Sequence, residues 1–146
     1  MRAVLQRVTS GAVEIDGQTV ASIGRGLVVL VGVRQGDGPR QAQQLADKIV
    51  NLRLFADSLG KFNLSARDVA AEVLVVSQFT LYADTRKGRR PSFGAAAPAA
   101  EAAPLVDRFA ASIRAAGLAV ATGRFGAAML VRIDNDGPVT IIIDVD

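Results

Sequence analysis

Two hydroxyls and an amide stand together at one point of this chain. The apolar run Val73-Leu74-Val75-Val76 leads directly into Ser77-Gln78-Phe79-Thr80-Leu81. Read as a strand over Glu72–Leu81, it places Ser77 and Phe79 on one face and Gln78 and Thr80 on the other. Gln78 and Thr80 can then hold one ligand together. The bland alternative is a strand end whose polar side chains satisfy loose backbone groups. The chain has no histidine and no cysteine. That excludes disulfides, thiolate nucleophiles, Cys/His zinc sites, imidazole bases and His-dependent triads. Catalysis, if present, must use hydroxyls, amides, carboxylates, Lys/Arg or the backbone. No EF-hand or P-loop spacing occurs, and neither a metal nor another cofactor is expected.

A second segment carries charge. Arg86, Lys87, Arg89 and Arg90 fall within Thr85-Arg86-Lys87-Gly88-Arg89-Arg90-Pro91-Ser92-Phe93. The net charge is +3, from 17 basic and 14 acidic residues, so outside this cluster the chain sums to −1. A basic loop with Gly and Pro suits phosphate, because cations near a polyanion release condensed counterions. The plain alternative is a solvated charged loop. Its nearness to Ser77–Thr80 would put chemistry and phosphate grip side by side.

Two further segments are less specific. Asn135-Asp136-Gly137-Pro138-Val139-Thr140 is explained by turn chemistry alone, as a hairpin connection. Thr122-Gly123-Arg124-Phe125-Gly126-Ala127-Ala128-Met129 reads as a bend feeding a strand. Met129 there is either a core filler or a ligand contact.

The elements that must position these residues follow from periodicity. Ala3–Val8 reads as a strand. Ala12–Ile15 and Thr19–Ile23 flank Asp16-Gly17-Gln18 as a hairpin. Leu27–Val33 is apolar without alternation, as in a strand covered on both faces. Gly36-Asp37-Gly38-Pro39 breaks the chain. Ala42, Leu45, Ala46 and Ile49 then recur at helical spacing, predicting a helix over about Arg40–Leu52. Asp57–Asp68 reads as polar turns.

The Ala-rich stretch Ala95–Ala103 is either a flexible linker or a helix lead-in. Leu105, Phe109 and Ile113 predict a helix over Pro104–Ala116, stopped by Gly117. Strands over Met129–Ile133 and Val139–Ile143 complete the chain. Seven strands and two helices in mixed order, without repeats, favour an α/β fold. We expect one compact domain over residues 1–146, with mixed sheets in a β/β/α layered arrangement. The sparsely charged last strand suggests burial against a second subunit.

A chain of 146 residues buries enough surface to fold without staples. No apolar run approaches the roughly 18 residues of a membrane helix. The N-terminus lacks a signal-peptide core, so a cytoplasmic location is expected.

Taken together the segments resemble a known family, the bacterial-type D-aminoacyl-tRNA deacylases. The resemblance rests on the opening strand Met1–Val8, a Ser-Gln-x-Thr-Leu signature at Ser77–Leu81, the segment Tyr82–Phe93, and an Asn-x-Gly-Pro-x-Thr signature at Asn135–Thr140. It covers essentially the whole chain in order.

It implies a homodimeric hydrolase of the D-aminoacyl-tRNA ester, a proofreading enzyme with active sites at the dimer interface. It implies a cis Gly137-Pro138 bond reaching into the partner's pocket, where its carbonyls occupy the space an L side chain needs. Arg7 would hold that motif. Ser77, Gln78, Phe79 and Thr80 would form the catalytic segment, and Gly137, Pro138, Met129 and Arg7 would meet the substrate. Arg86, Lys87, Arg89 and Arg90 would grip tRNA. Neither DNA nor a membrane is an expected partner.

An aminoacyl ester is activated, so orientation and oxyanion stabilisation can substitute for a strong base. Backbone N–H groups near Phe79 and Thr80 are the expected oxyanion donors, with the substrate's ribose hydroxyl orienting water. Thr80 is expected to position rather than attack. Glycine has no side chain to exclude, so glycyl-tRNA is an expected substrate as well. Two other readings compete: a non-catalytic nucleic-acid-binding module, and an editing domain that removes a small L-amino acid.

Overall fold

The computed structural model describes all residues, Met1–Asp146. Its frame is a six-stranded mixed sheet built around one long strand, β1 (Arg2–Ile15). The first half of β1 pairs antiparallel with β3 (Gly26–Gly32), and its second half pairs with β2 (Gln18–Ile23). Asp16 and Gly17 both take positive φ at the β1–β2 turn, as the Asp-Gly pair predicts. Parallel to β3 runs β6 (Glu72–Ser77), and parallel to β6 runs β7 (Val120–Thr122). Each parallel step crosses over through a helix, α1 (Pro39–Asn51) or α2 (Ala99–Ala115).

Side-chain alternation splits the core in two. Leu27, Val29, Val31, Val73 and Val75 face α1 and α2, where they meet Leu45, Ile49, Val106, Phe109 and Ile113. Val28, Leu74 and Val76 face the other way and meet Val8, Val13 and Ile23. The sheet curls so that β2 comes against β6 and β7. A strand with apolar cover on both faces has no reason to alternate, which is why Leu27–Val33 reads as a continuous run. The result is the β/β/α layering expected from the sequence.

Helix α1 agrees with its periodicity to within one residue at each end. Pro39 occupies its first position, and Gly38 N–H donates to Gln41 Oε1 (3.0 Å). Helix α2 starts five residues before the expected Pro104, because the alanines are themselves good helix formers. The lead-in reading therefore holds and the linker reading does not. Residues 95–97 are docked, with Gln35 N–H donating to Ala95 O (3.0 Å) and Ala97 N–H to Val33 O (2.9 Å).

Three expectations are corrected. Two short strands, β4 (Arg53–Ala56) and β5 (Phe62–Ser65), border and partly fill the stretch read as turns. The strand from Glu72 ends at Ser77, and Phe79–Tyr82 forms a 3-10 turn instead. Asn135–Pro138 is no hairpin, because Leu130–Asp144 is a single strand, β8, paired antiparallel with β1 on both sides of the motif. Two register shifts, at Gln6/Val8 and Val8/Ser10, absorb the motif within the ladder.

Candidate active site

The apolar strand β6 ends where its neighbours diverge. Gln78 N–H still donates to Val31 O of β3 (2.8 Å), and the chain then tightens into the 3-10 turn. The turn's own bonds begin with Leu81 N–H to Gln78 O (3.3 Å), so the N–H groups of Phe79 and Thr80 take no part in it. Gln78 Nε2 donates to Thr80 Oγ1 (2.5 Å). The two side chains thus come together, through a turn rather than along one strand face.

Beside this turn lies a cavity of about 610 Å3. Ser77, Gln78 and Phe79 form one wall, and Met129 and Phe125 another. Phe93 and the alanines Ala96, Ala97, Ala99 and Ala102 line the rest, together with apolar residues of β3 and α2. None of the lining residues is charged. The cavity exists because this stretch presents methyl groups where larger side chains would fill it. Residue-type reasoning missed Phe93, Phe125 and the alanines. The available signals were an aromatic at the end of the basic loop and another between Gly123 and Gly126.

Thr80 is exposed and does not line the cavity. Its neighbour on the turn, Tyr82, is pushed up to about 12, chiefly by burial and further by Asp37 and Asp144, so it is neutral at ordinary pH.

The basic loop is pinned at its base. Asp84 and Ser92 exchange both backbone hydrogen bonds (2.7 and 2.9 Å), which closes the loop between them. Arg86 folds back onto Asp84, with Nε and Nη2 at 2.9 and 2.7 Å from its carboxylate oxygens. Those side-chain bonds, and next the Arg86 N–H, hold the Asp84 carboxyl well below the usual carboxylate range. Arg86 is therefore already paired. Lys87, Arg89 and Arg90 are exposed and belong to none of the chain's ion pairs.

The remaining candidates gather elsewhere. The Gly137–Pro138 peptide bond is cis, and Gly137 has φ +131°. Asn135 Oδ1 accepts from Val139 N–H (3.0 Å) across the pair, and Asn135 Nδ2 donates to Thr140 Oγ1 (3.2 Å). Arg7 is largely buried. It pairs with Asp136 Oδ2 (3.3 Å), donates Nη1–H to Leu54 O (2.7 Å) and lies 5.2 Å from the Phe62 ring centre. Gly137 and Pro138 are exposed and do not line the cavity of their own chain.

The chain is similar over nearly its whole length to known proteins. The family model described as D-Tyr-tRNA(Tyr) deacylase matches residues 4–144. A D-aminoacyl-tRNA deacylase of Roseiflexus sp. (strain RS-1) is 58% identical over 144 residues, covering 99% of this chain and 93% of that protein. That of Carboxydothermus hydrogenoformans is 56% identical over 145 residues, covering 99% of this chain and all of its own. Among solved structures, a c-Myc DNA unwinding element binding protein superposes with TM-score 0.94 at 40% identity, covering 100% of this chain and 99% of its own. A probable eukaryotic D-amino acid tRNA deacylase shares the fold, with TM-score 0.84 at 19% identity, covering 99% of this chain and 98% of its own. A match running from within the first strand to the end of β8 leaves no element of the fold outside it: the chain belongs to the D-Tyr-tRNA(Tyr) deacylase family.

Proposed function

We propose that this protein hydrolyses the ester between a D-amino acid, or glycine, and the terminal ribose of tRNA, releasing free amino acid and tRNA. The observation that carries the reading is the 3-10 turn beside the uncharged cavity. It presents the Phe79 and Thr80 N–H groups outside the turn's own bonding. Two preorganised donors, one of them on a residue that lines the apolar cavity, are suited to a developing oxyanion. Forgoing a positioned base costs roughly 10²–10⁴-fold, which orientation of an activated ester can offset. Thr80 positions rather than attacks: its Oγ1 accepts from the Gln78 amide, which is no base. Water is oriented by the substrate's own ribose hydroxyl.

In this reading the whole chain, residues 1–146, acts as one domain and works as a homodimer in the cytoplasm. Gly137 and Pro138 are exposed outside their own cavity, so any role in substrate selection requires a second copy. Strand β8 has one unpaired edge, and it exposes Leu130 and Ile142 (55% and 66% exposed), as an interface strand would. The partner's Gly-Pro backbone then fills the space an L side chain needs, so selection works by exclusion. Lys87, Arg89 and Arg90 grip acceptor-stem phosphates.

Hydrolysis of D-tyrosyl-tRNA and L-tyrosyl-tRNA by the purified protein tests the proposal. Rapid loss of the D ester alone is the expected result. Cleavage of both would refute exclusion by the Gly-Pro pair. Binding without cleavage would favour the second reading, a nucleic-acid-binding module. The three unpaired cations speak for that reading, as does the name of the DNA-unwinding-element relative.

A further inference from the structure

Gly123 follows directly on β7, and its N–H donates to Val75 O of β6 (3.0 Å), so its backbone is fixed to the sheet. Its φ lies outside the left-handed region, and conformation does not require glycine there. Space does. A Cβ built on Gly123 would lie 2.8 Å from Met129 Sδ and 3.6 Å from Met129 Cε. The next neighbour, Val13 Cγ2, is an ordinary contact at 3.8 Å. Met129 meets Gly123 and also lines the cavity beside Ser77 and Phe79. Gly123 itself is not part of the lining.

We infer that Gly123 is a specificity-determining position: the side chain it lacks is the space in which Met129 rests, and this sets the width of the cavity. A methyl group at position 123 cannot retreat, because the hydrogen bond to Val75 holds the backbone. The thioether must yield instead, and the open side is the cavity. The sulfur sits mid-chain, so moving it carries the terminal methyl along. The residue therefore acts on the ligand through Met129, as a positioning residue. The kinetic consequence rests on the deacylase reading; the packing consequence does not.

The chain has two methionines, Met1 and Met129. A protein labelled with 13C-methyl methionine accordingly gives two signals. Gly123→Ala should move the Met129 signal and leave that of buried Met1 in place. With D-tyrosyl-tRNA as substrate, KM should rise roughly tenfold with kcat within about twofold, as expected when a binding contact is displaced.

In a Met129→Ala background Sδ and Cε are gone, and Gly123→Ala should then change kcat/KM by less than about twofold. An unmoved Met129 signal overturns the inference. So does an equal penalty in both backgrounds, or a loss confined to kcat. If the parent protein hydrolyses no D-tyrosyl-tRNA, the deacylase reading fails, and the methyl spectra alone decide the role of Gly123.

Discussion

The ring of Phe93 meets that of Phe79 edge-on, with centroids 5.0 Å apart and planes at 70°. One ring ends the basic loop and the other opens the 3-10 turn, so loop and turn share an aromatic contact at the cavity wall. Edge-to-face pairs contribute about 0.5–1.5 kcal/mol. Phe93→Ala should therefore lower kcat/KM for D-aminoacyl-tRNA by roughly 2–10-fold. Phe93→Tyr, which keeps the ring, should restore most of it. Steady-state kinetics on the three proteins checks this, and an alanine variant as fast as the parent would remove Phe93 from the site.

The cations of the loop are not equivalent. Arg86 is neutralised by Asp84, whereas Arg89 and Arg90 are unpaired. Replacing Arg89 and Arg90 by Gln should weaken tRNA binding and flatten the log–log salt slope by about 0.7–0.9 for each phosphate no longer neutralised. Arg86→Gln should change the slope less. Binding titrations at several salt concentrations measure both, and equal slopes for all variants would exclude a phosphate grip.

Thr80 offers a test of the backbone reading. Thr80→Ala removes the hydroxyl but keeps the N–H, so its loss in kcat should stay below the roughly 10²-fold that a positioned proton-transfer group supplies at minimum. No aminoacyl-enzyme should be found on Thr80 by mass spectrometry of quenched reactions. A covalent adduct there would replace positioning by nucleophilic attack.

Gly137 and Arg7 should act on selectivity. A Cβ at Gly137, where φ is +131°, would lie 2.8 Å from Val139 Cγ2 and 3.3 Å from Arg7 Nη2. Gly137→Ala should cost about 1–3 kcal/mol of stability and displace Arg7. Arg7→Gln loses the ion pair with Asp136 and frees the same segment. Both variants should lose D-over-L discrimination, read from parallel hydrolysis of the two esters. Full discrimination in both would separate this motif from substrate selection.

Acid should destabilise the β4–β5 region. The Lys61 and Leu59 N–H groups bond to Asp57 and lower its pKa; the Ser65 N–H and hydroxyl lower that of Asp68. The folded protein thus binds these protons more weakly than the unfolded chain. Their stabilisation is complete above the unfolded value of about 3.9 and is lost as pH falls through the lower folded values. Urea midpoints should hold from pH 6 to about pH 5, then drop as pH falls towards about 2, and drop less steeply in Asp57→Asn/Asp68→Asn. Parallel pH profiles would contradict this.

What could be read along the chain was whatever depends on local order. The two-faced burial of Leu27–Val33, the helical spacing of Ala42–Ile49 and the Asp16-Gly17 turn each follow from side-chain periodicity or φ preference, and each stands in the structure. The absence of His and Cys narrowed the chemistry at the level of composition. The two signatures, at Ser77–Leu81 and Asn135–Thr140, pointed to the family to which the chain belongs.

Other features depend on partners distant in sequence. Nothing within Asn135–Pro138 says that it continues a strand, because β1 decides that by pairing on both sides of it. The short β7 is a strand only because β6 offers its edge. The alanines of Ala95–Ala103 look featureless in sequence, yet once docked beside β3 they leave the space in which the cavity opens. Composition and local periodicity determined the elements and the chemistry available. Only the long-range packing decided that the 3-10 turn, the aromatic end of the basic loop and the apolar cavity lie side by side, because that placement is set by contacts between residues far apart in the chain.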